Sequence, residues 1–92
     1  MPDSFDEKDS MALSEKDLPG LRPYQPVQVF FLLRLGRLLR LRQNVAGSTE
    51  AADWLVRLLG KAIYSTYRDC VAIGVGDDAR ALFTKIAAER RS

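Results

Sequence analysis

The stretch VFFLLRLGRLLRLRQ, residues 29–43, decides the fold because it is a long run of helix-forming residues without proline. Leucine, arginine and glutamine all favour helix, and Gly36 is the one residue within the run that opposes it. Pro26, just before the run, suits a first helical turn because its missing N–H needs no partner there. We therefore predict a first helix over about residues 27–43.

Two further helices are expected after this run. Ser48 or Thr49 would cap a second helix that ends near Ile73, because Gly74 is a natural C-terminal stop. Asp77 would cap a third helix that runs nearly to the end of the chain. Both connections are short, so successive helices should be antiparallel neighbours. The predicted fold class is all-α: a small three-helix bundle, made of a long antiparallel helical hairpin and a shorter third helix.

The chain divides into three segments by composition. Residues 1–20 carry six acidic residues and two lysines, with few apolar side chains, which is typical of a flexible, disordered acidic arm. Residues 21–26 form a Pro-rich linker, and residues 27–92 form the helical domain. The net charge is −4 for residues 1–20 and +6 for the remainder, so an acidic arm precedes a basic body.

The second and third helices are amphipathic in the ordinary way. With about 100° of rotation per residue, their apolar side chains fall on one stripe, which predicts the side that packs in the core. In the second helix the stripe comprises Ala52, Leu55, Val56, Leu59, Ile63, Thr66, Tyr67, Cys70 and Ile73. In the third helix it comprises Ala79, Leu82, Phe83 and Ile86.

The first helix differs from the other two because its apolar side chains extend nearly all round. One arc is sufficient for packing on the second helix, and it comprises Phe31, Leu32, Leu35, Leu38 and Leu39. The other side mixes apolar and basic residues, namely Val29, Phe30, Leu33 and Leu41 with Arg34, Arg37 and Arg40. A helix that is apolar on most sides is normally buried on most sides, and two neighbouring helices cannot cover all of it.

Composition excludes several classes of function. The chain has no histidine and one cysteine, Cys70, so the usual general base, an internal disulfide and a cysteine zinc cluster are all ruled out. We expect no enzymatic activity, no catalytic residues, no cofactor, no metal site and no small-molecule substrate. The acidic start of the chain predicts a cytoplasmic protein, and the arginines of the first helix exclude a membrane span.

Association with protein is the preferred explanation for the mixed side of the first helix, over a helix lying on a membrane surface, which would show one clean apolar face. Arginine stems can lie along apolar surface while their charged heads stay at the rim, and arginine is enriched in interfaces. We predict an oligomerising adaptor or regulatory subunit, either a homodimer or a protein bound to a partner helix. The predicted interface residues are Val29, Phe30, Leu33, Arg34, Arg37, Arg40, Leu41, Trp54 and Leu58.

Two alternatives use the same arginines. Arg34, Arg37 and Arg40 could bind phosphates in a nucleic-acid-associated protein, although apolar groups beside them would then face water or sugar. Alternatively, the acidic residues of the arm could lie over this basic row and cover it until a partner displaces them. Such exposed ion pairs are individually weak, on the order of 0 to 1 kcal/mol, so the cover would depend on salt.

Overall fold

The computed structural model describes residues 13–47 and 52–91, with side chains described as far as residue 89. Within that part of the chain there is one short 3-10 turn, Glu15–Asp17, and three α-helices. We number the helices α1 (Pro26–Ala46), α2 (Asp53–Ala72) and α3 (Gly76–Arg91). All three pack against one another, which confirms the predicted all-α three-helix bundle.

Two side-chain hydrogen bonds to backbone carbonyls show the relative directions of the helices. Near the start of α1, Gln28 Nε2 donates to the carbonyl of Ile73 at the end of α2, at 3.0 Å. The two helices are therefore antiparallel, as expected. Near the end of α1, Gln43 Nε2 donates to the carbonyl of Ile86 in the second half of α3, at 2.8 Å. Helix α3 thus runs in the same general direction as α1.

The helix ends differ in detail from those predicted. Helix α1 continues to Ala46, three residues beyond the predicted end. Helix α2 begins at Asp53, with Ala52 as its N-cap residue, whereas the predicted caps Ser48 and Thr49 lie outside the described residues. Helix α3 begins at Gly76, so that Asp77 lies in the first turn and is not the cap.

The end of α2 follows the prediction. Gly74 has a φ of +87°, a left-handed conformation that only glycine adopts without strain. The Val75 N–H reaches back to the carbonyl of Cys70 at 2.8 Å, which satisfies one of the last carbonyls of the helix. The chain therefore reverses within three residues and α3 begins at once.

The core lies along the lines where the three helices meet. The predicted stripes of α2 and α3, together with the predicted packing arc of α1, supply most of it, which confirms the helical periodicity read from the sequence. The buried core residues are Leu13, Leu18, Leu32, Leu35, Leu39, Ile63, Cys70, Val75, Ala79, Leu82 and Ile86.

Two of these core residues precede the helices. Residues 13–20 were expected to belong to a disordered arm, but Leu13 and Leu18 are buried. Lys85 Nζ of α3 also donates to the carbonyl of Asp17, at 2.6 Å. Burial of two leucines, each worth about 1.5–3 kcal/mol, opposes the ordering entropy of this short segment. Residues 1–12 of the predicted arm lie outside the described residues.

Candidate interaction surface

The solvent-exposed side of α1 carries apolar and basic side chains together. Phe30 is 59% exposed, Val27 is exposed one turn before it, and Arg34 and Arg37 are exposed further along the helix. Leu41 lies on the same side but is partly buried. We call these five residues the α1 outer face. It has no acidic residue, because α1 contains none.

Phe30 is held in position although it is exposed. Its ring meets the ring of Phe31 edge to face, with centroids 5.2 Å apart and an interplanar angle of 90°. Phe31 in turn packs against the core. An aromatic side chain supported on one side and open to solvent on the other provides a preformed contact at little cost in side-chain entropy.

The predicted row of three arginines is divided. Arg40 turns toward α3, where its Nε and Nη2 atoms donate to Glu89 Oε1 and Oε2 at 3.2 and 2.9 Å. The Arg40 side chain is mostly buried by this contact. Because arginines three residues apart rotate about 60° at each step, Arg40 lies about 120° around the helix from Arg34. Only Arg34 and Arg37 of the row are exposed.

Two residues that were expected in the interface are covered by the chain itself. Val29 and Leu33 pack against the core cluster. On α1 they lie on the same side as Gly36, against which the side chain of Leu13 is placed. Val29 and Leu33 are therefore partly buried against the chain's own core, on the side of α1 that faces the N-terminal segment.

Helix α2 carries a second exposed apolar site. Trp54 is 62% exposed and Leu58 is 55% exposed, and residues four apart lie on the same side of a helix. Trp54 is near the start of α2, whereas Phe30 is near the start of α1. Because the two helices are antiparallel, these aromatic residues lie at opposite ends of the hairpin. The predicted site residues therefore form two separate surfaces, not one patch.

No arrangement typical of a catalytic centre is found among the described residues. Cys70 is fully buried, and burial raises the pKa of its thiol to about 11, so it is protonated at neutral pH and is a poor nucleophile. Across residues 13–47 and 52–89, no three acidic or cysteine side chains are grouped as metal ligands.

The most constrained polar cluster was missing from the predictions. Asp78 is fully buried at the start of α3, accepts a hydrogen bond from the Tyr24 hydroxyl and forms an ion pair with Arg22, whose Nε lies 3.1 Å from Asp78 Oδ1. Arg22 also donates to the carbonyl of Gly74, at 3.4 Å. The cluster attaches the proline-rich segment to the turn between α2 and α3. Nothing in the local sequence connects residues that are more than fifty positions apart.

Comparison of the chain with family models, with curated proteins and with solved structures finds no match. Among the described helices, none presents a continuous apolar segment of the length needed to cross a lipid bilayer.

Proposed function

We propose that this protein is a non-enzymatic helical interaction module that forms a homodimer through the α1 outer face. The observation that carries the proposal is the exposure of Phe30 beside Val27 on a well-packed helix. Exposed aromatic residues that a partner can bury are favoured interface anchors. An adaptor or regulatory role would follow from association.

An antiparallel contact between two α1 helices fits the order of residues on this face. If the twofold axis passes between Arg34 and Arg37, then Phe30 of each copy faces Leu41 of the other. Phe30 and Leu41 are eleven residues apart, about three helical turns or about 16 Å, so they point to the same side. The arginine stems can lie along the apolar contact while their guanidinium groups extend to the rim.

Charge supplies the test that separates this dimer from other complexes. The α1 outer face is only positively charged, so two copies repel each other at low ionic strength. Added salt screens this repulsion, and the homodimer should therefore become more stable as the salt concentration rises. Binding to nucleic acid or to an acidic partner would have the opposite dependence, because salt weakens attraction between opposite charges.

The test is light scattering on the purified full chain over a range of concentrations, at about 50 mM and about 500 mM salt. We expect a dimer that is more stable in high salt, so that the midpoint between monomer and dimer lies at a lower protein concentration there than in low salt. Phe30→Ser should raise the protein concentration at this midpoint by about tenfold or more. The matched control is Leu21→Ser, because Leu21 is similarly exposed, at 56%, but precedes α1.

Three results would overturn the proposal. The first is a chain that stays monomeric at its highest soluble concentration in both salts. The second is a Phe30→Ser variant that associates as strongly as the parent. The third is association that weakens as salt rises, which would indicate opposite charges at the contact and exclude the antiparallel α1 pair. Loss of association with Trp54→Ser alone would assign the contact to α2.

The nucleic-acid alternative has less support than the homodimer. A phosphate-binding row would need its guanidinium groups available, and Arg40 is engaged by both carboxylate oxygens of Glu89. Arg34 and Arg37 are left, with Phe30 exposed beside them. Absorbance at 260 nm in the purified protein, lost steeply with salt, would favour this alternative.

A further inference from the structure

A cleft of about 410 Å³ lies between α2 and α3. Its floor is apolar and is formed by Ile63 and Phe83, and Tyr64 and Tyr67 form one wall along α2. The rings of Tyr67 and Phe83 meet edge to face, with centroids 6.0 Å apart. The volume is within the range of about 300–1,000 Å³ that is usual for small-molecule sites.

Gly60 explains why the cleft is open. It lines the cleft in the middle of α2, and a Cβ atom built on it would meet nothing within 4 Å. Glycine in a helix interior costs about 1 kcal/mol relative to alanine, and no close helix contact compensates for it here. A Cβ atom at this position would therefore meet no steric obstacle at the edge of the cleft.

The two charged residues that line the cleft are both basic. Arg42 of α1 and Arg80 of α3 both line it, and none of its lining residues is acidic. Arg42 is partly buried, and within the described residues no hydrogen bond or ion pair engages its guanidinium group. A partly desolvated cation without a counter-ion favours an anion at its side.

Arg80 is held at the mouth of the cleft by two neighbours. Its Nη1 atom donates to the Tyr67 hydroxyl at 2.9 Å, and its Nη2 atom pairs with Asp77, one turn earlier in α3. Both partners raise the pKa of Arg80, the Tyr67 hydrogen bond most. A guanidinium group has five N–H donors, so Arg80 retains donors for a further anion. The Asp77 pair is exposed and weak, so a bound anion can compete with Asp77 for the guanidinium group.

We propose that this cleft binds a small aromatic carboxylate. The apolar floor and the tyrosine wall would cover a planar ring, and Arg42 and Arg80 would bind its acidic group. Arginine matches a carboxylate in geometry as well as in charge. The site is on the opposite side of α2 from Leu58 and does not include the α1 outer face, so it is independent of the proposed dimer.

The test uses naphthoate as the probe carboxylate and anilinonaphthalene sulfonate as a fluorescent aromatic anion. We expect saturable binding of the fluorescent anion to the folded full chain, with naphthoate as a competitor. Arg42→Gln and Arg80→Gln should each weaken binding by about tenfold or more, because each removes one charged contact to the anion. Gly60→Leu should weaken binding strongly, because its side chain would take up part of the cleft.

The matched control is Arg34→Gln, which removes an exposed arginine from the α1 outer face and should leave binding unchanged. Circular dichroism and cooperative thermal unfolding of each variant exclude binding to a partly unfolded chain. Equal binding by the parent and Gly60→Leu would overturn the proposal, as would equal affinity for a neutral phenylnaphthylamine. A variant that is monomeric but still binds naphthoate would separate this site from the proposed dimer contact.

Discussion

Tyr24 donates a 2.5 Å hydrogen bond through its hydroxyl to Asp78 Oδ2, and the same hydroxyl accepts the backbone N–H of Gly20 at 2.9 Å. One side chain thus connects the segment before α1 to a buried carboxylate at the start of α3. Because Asp78 is fully buried, its oxygen atoms rely on the few groups around them for polar contacts. Removal of the Tyr24 hydroxyl should therefore lower the stability of the whole bundle.

We expect Tyr24→Phe to lower the free energy of unfolding by about 1.5–3 kcal/mol, the usual range for a hydrogen bond to a charged group. Denaturant unfolding followed by circular dichroism would measure the change. Tyr64→Phe is the matched control, because Tyr64 is exposed on α2. Its substitution should change stability by no more than about 0.5 kcal/mol. Equal effects of the two substitutions would show that the Asp78 contact contributes no stability.

The second prediction concerns Gly36 and Leu13. A Cβ atom on Gly36 would overlap Leu13 Cδ1 and would lie 3.7 Å from Ile86 Cδ1, an ordinary contact distance. Gly36→Ala should therefore force the Leu13 side chain to move and loosen the N-terminal segment while the three helices remain packed, since alanine favours α1 by up to about 1 kcal/mol. We expect faster trypsin cleavage after the exposed Lys16, with thermal stability of the helices unchanged or raised.

Gly60→Ala is the control for this experiment. It makes the same substitution in a helix interior, but a Cβ atom at Gly60 meets nothing within 4 Å. It should raise stability by a similar amount through helix propensity and leave cleavage after Lys16 unchanged. If both variants are cleaved at the parental rate, Leu13 does not hold the segment in place.

These contacts show which parts of the fold could be predicted from the sequence. The buried stripe of α2, with Leu59, Ile63 and Cys70, follows from helical periodicity, which is a local property of the chain. Leu13 and Leu18 have no such period and lie among acidic residues, so composition alone indicated disorder. The burial of Leu13 depends on the space beside Gly36, which exists only once α1 and α3 are packed.

The candidate surface was predictable only in part for the same reason. The exposure of Phe30, Arg34 and Arg37 follows from their position around α1, but the direction of α3 decides that Arg40 is paired with Glu89. The cleft beside Gly60 was not predicted, because it is lined by residues from three helices. A glycine in one sequence does not reveal whether its neighbours leave a space or fill it.

The third prediction concerns the reactivity of Cys70. Its thiol is fully buried, and the pKa of about 11 leaves roughly 100-fold less thiolate near neutral pH than an ordinary thiol with a pKa near 9. Alkylation by iodoacetamide should therefore be slower in the folded protein than in denaturant by roughly 100-fold or more. Mass spectrometry over time would measure both rates, and equal rates would contradict the burial of this residue.

The fourth prediction concerns stability at alkaline pH. The raised pKa values of Cys70 and Tyr24 have the same principal cause, which is removal of the ionised form from water by burial. The unfolded thiol loses its proton near pH 9, whereas the folded thiol keeps it until about pH 11. In this interval the unfolded chain binds fewer protons, so the free energy of unfolding falls as pH rises, and Tyr24 extends the fall from about pH 10.

We expect a loss on the order of 2 kcal/mol between about pH 8 and pH 11, measured as the change in denaturant midpoint. Cys70→Ala should be less stable than the parent at pH 8, because it leaves a small cavity, but should lose less stability on going to pH 11. Tyr24→Phe should remove the contribution that begins near pH 10. Each substitution removes one of the two ionisations that make the free energy of unfolding depend on pH. If the parent and both variants lose equal stability over this range, the alkaline loss therefore depends on other groups.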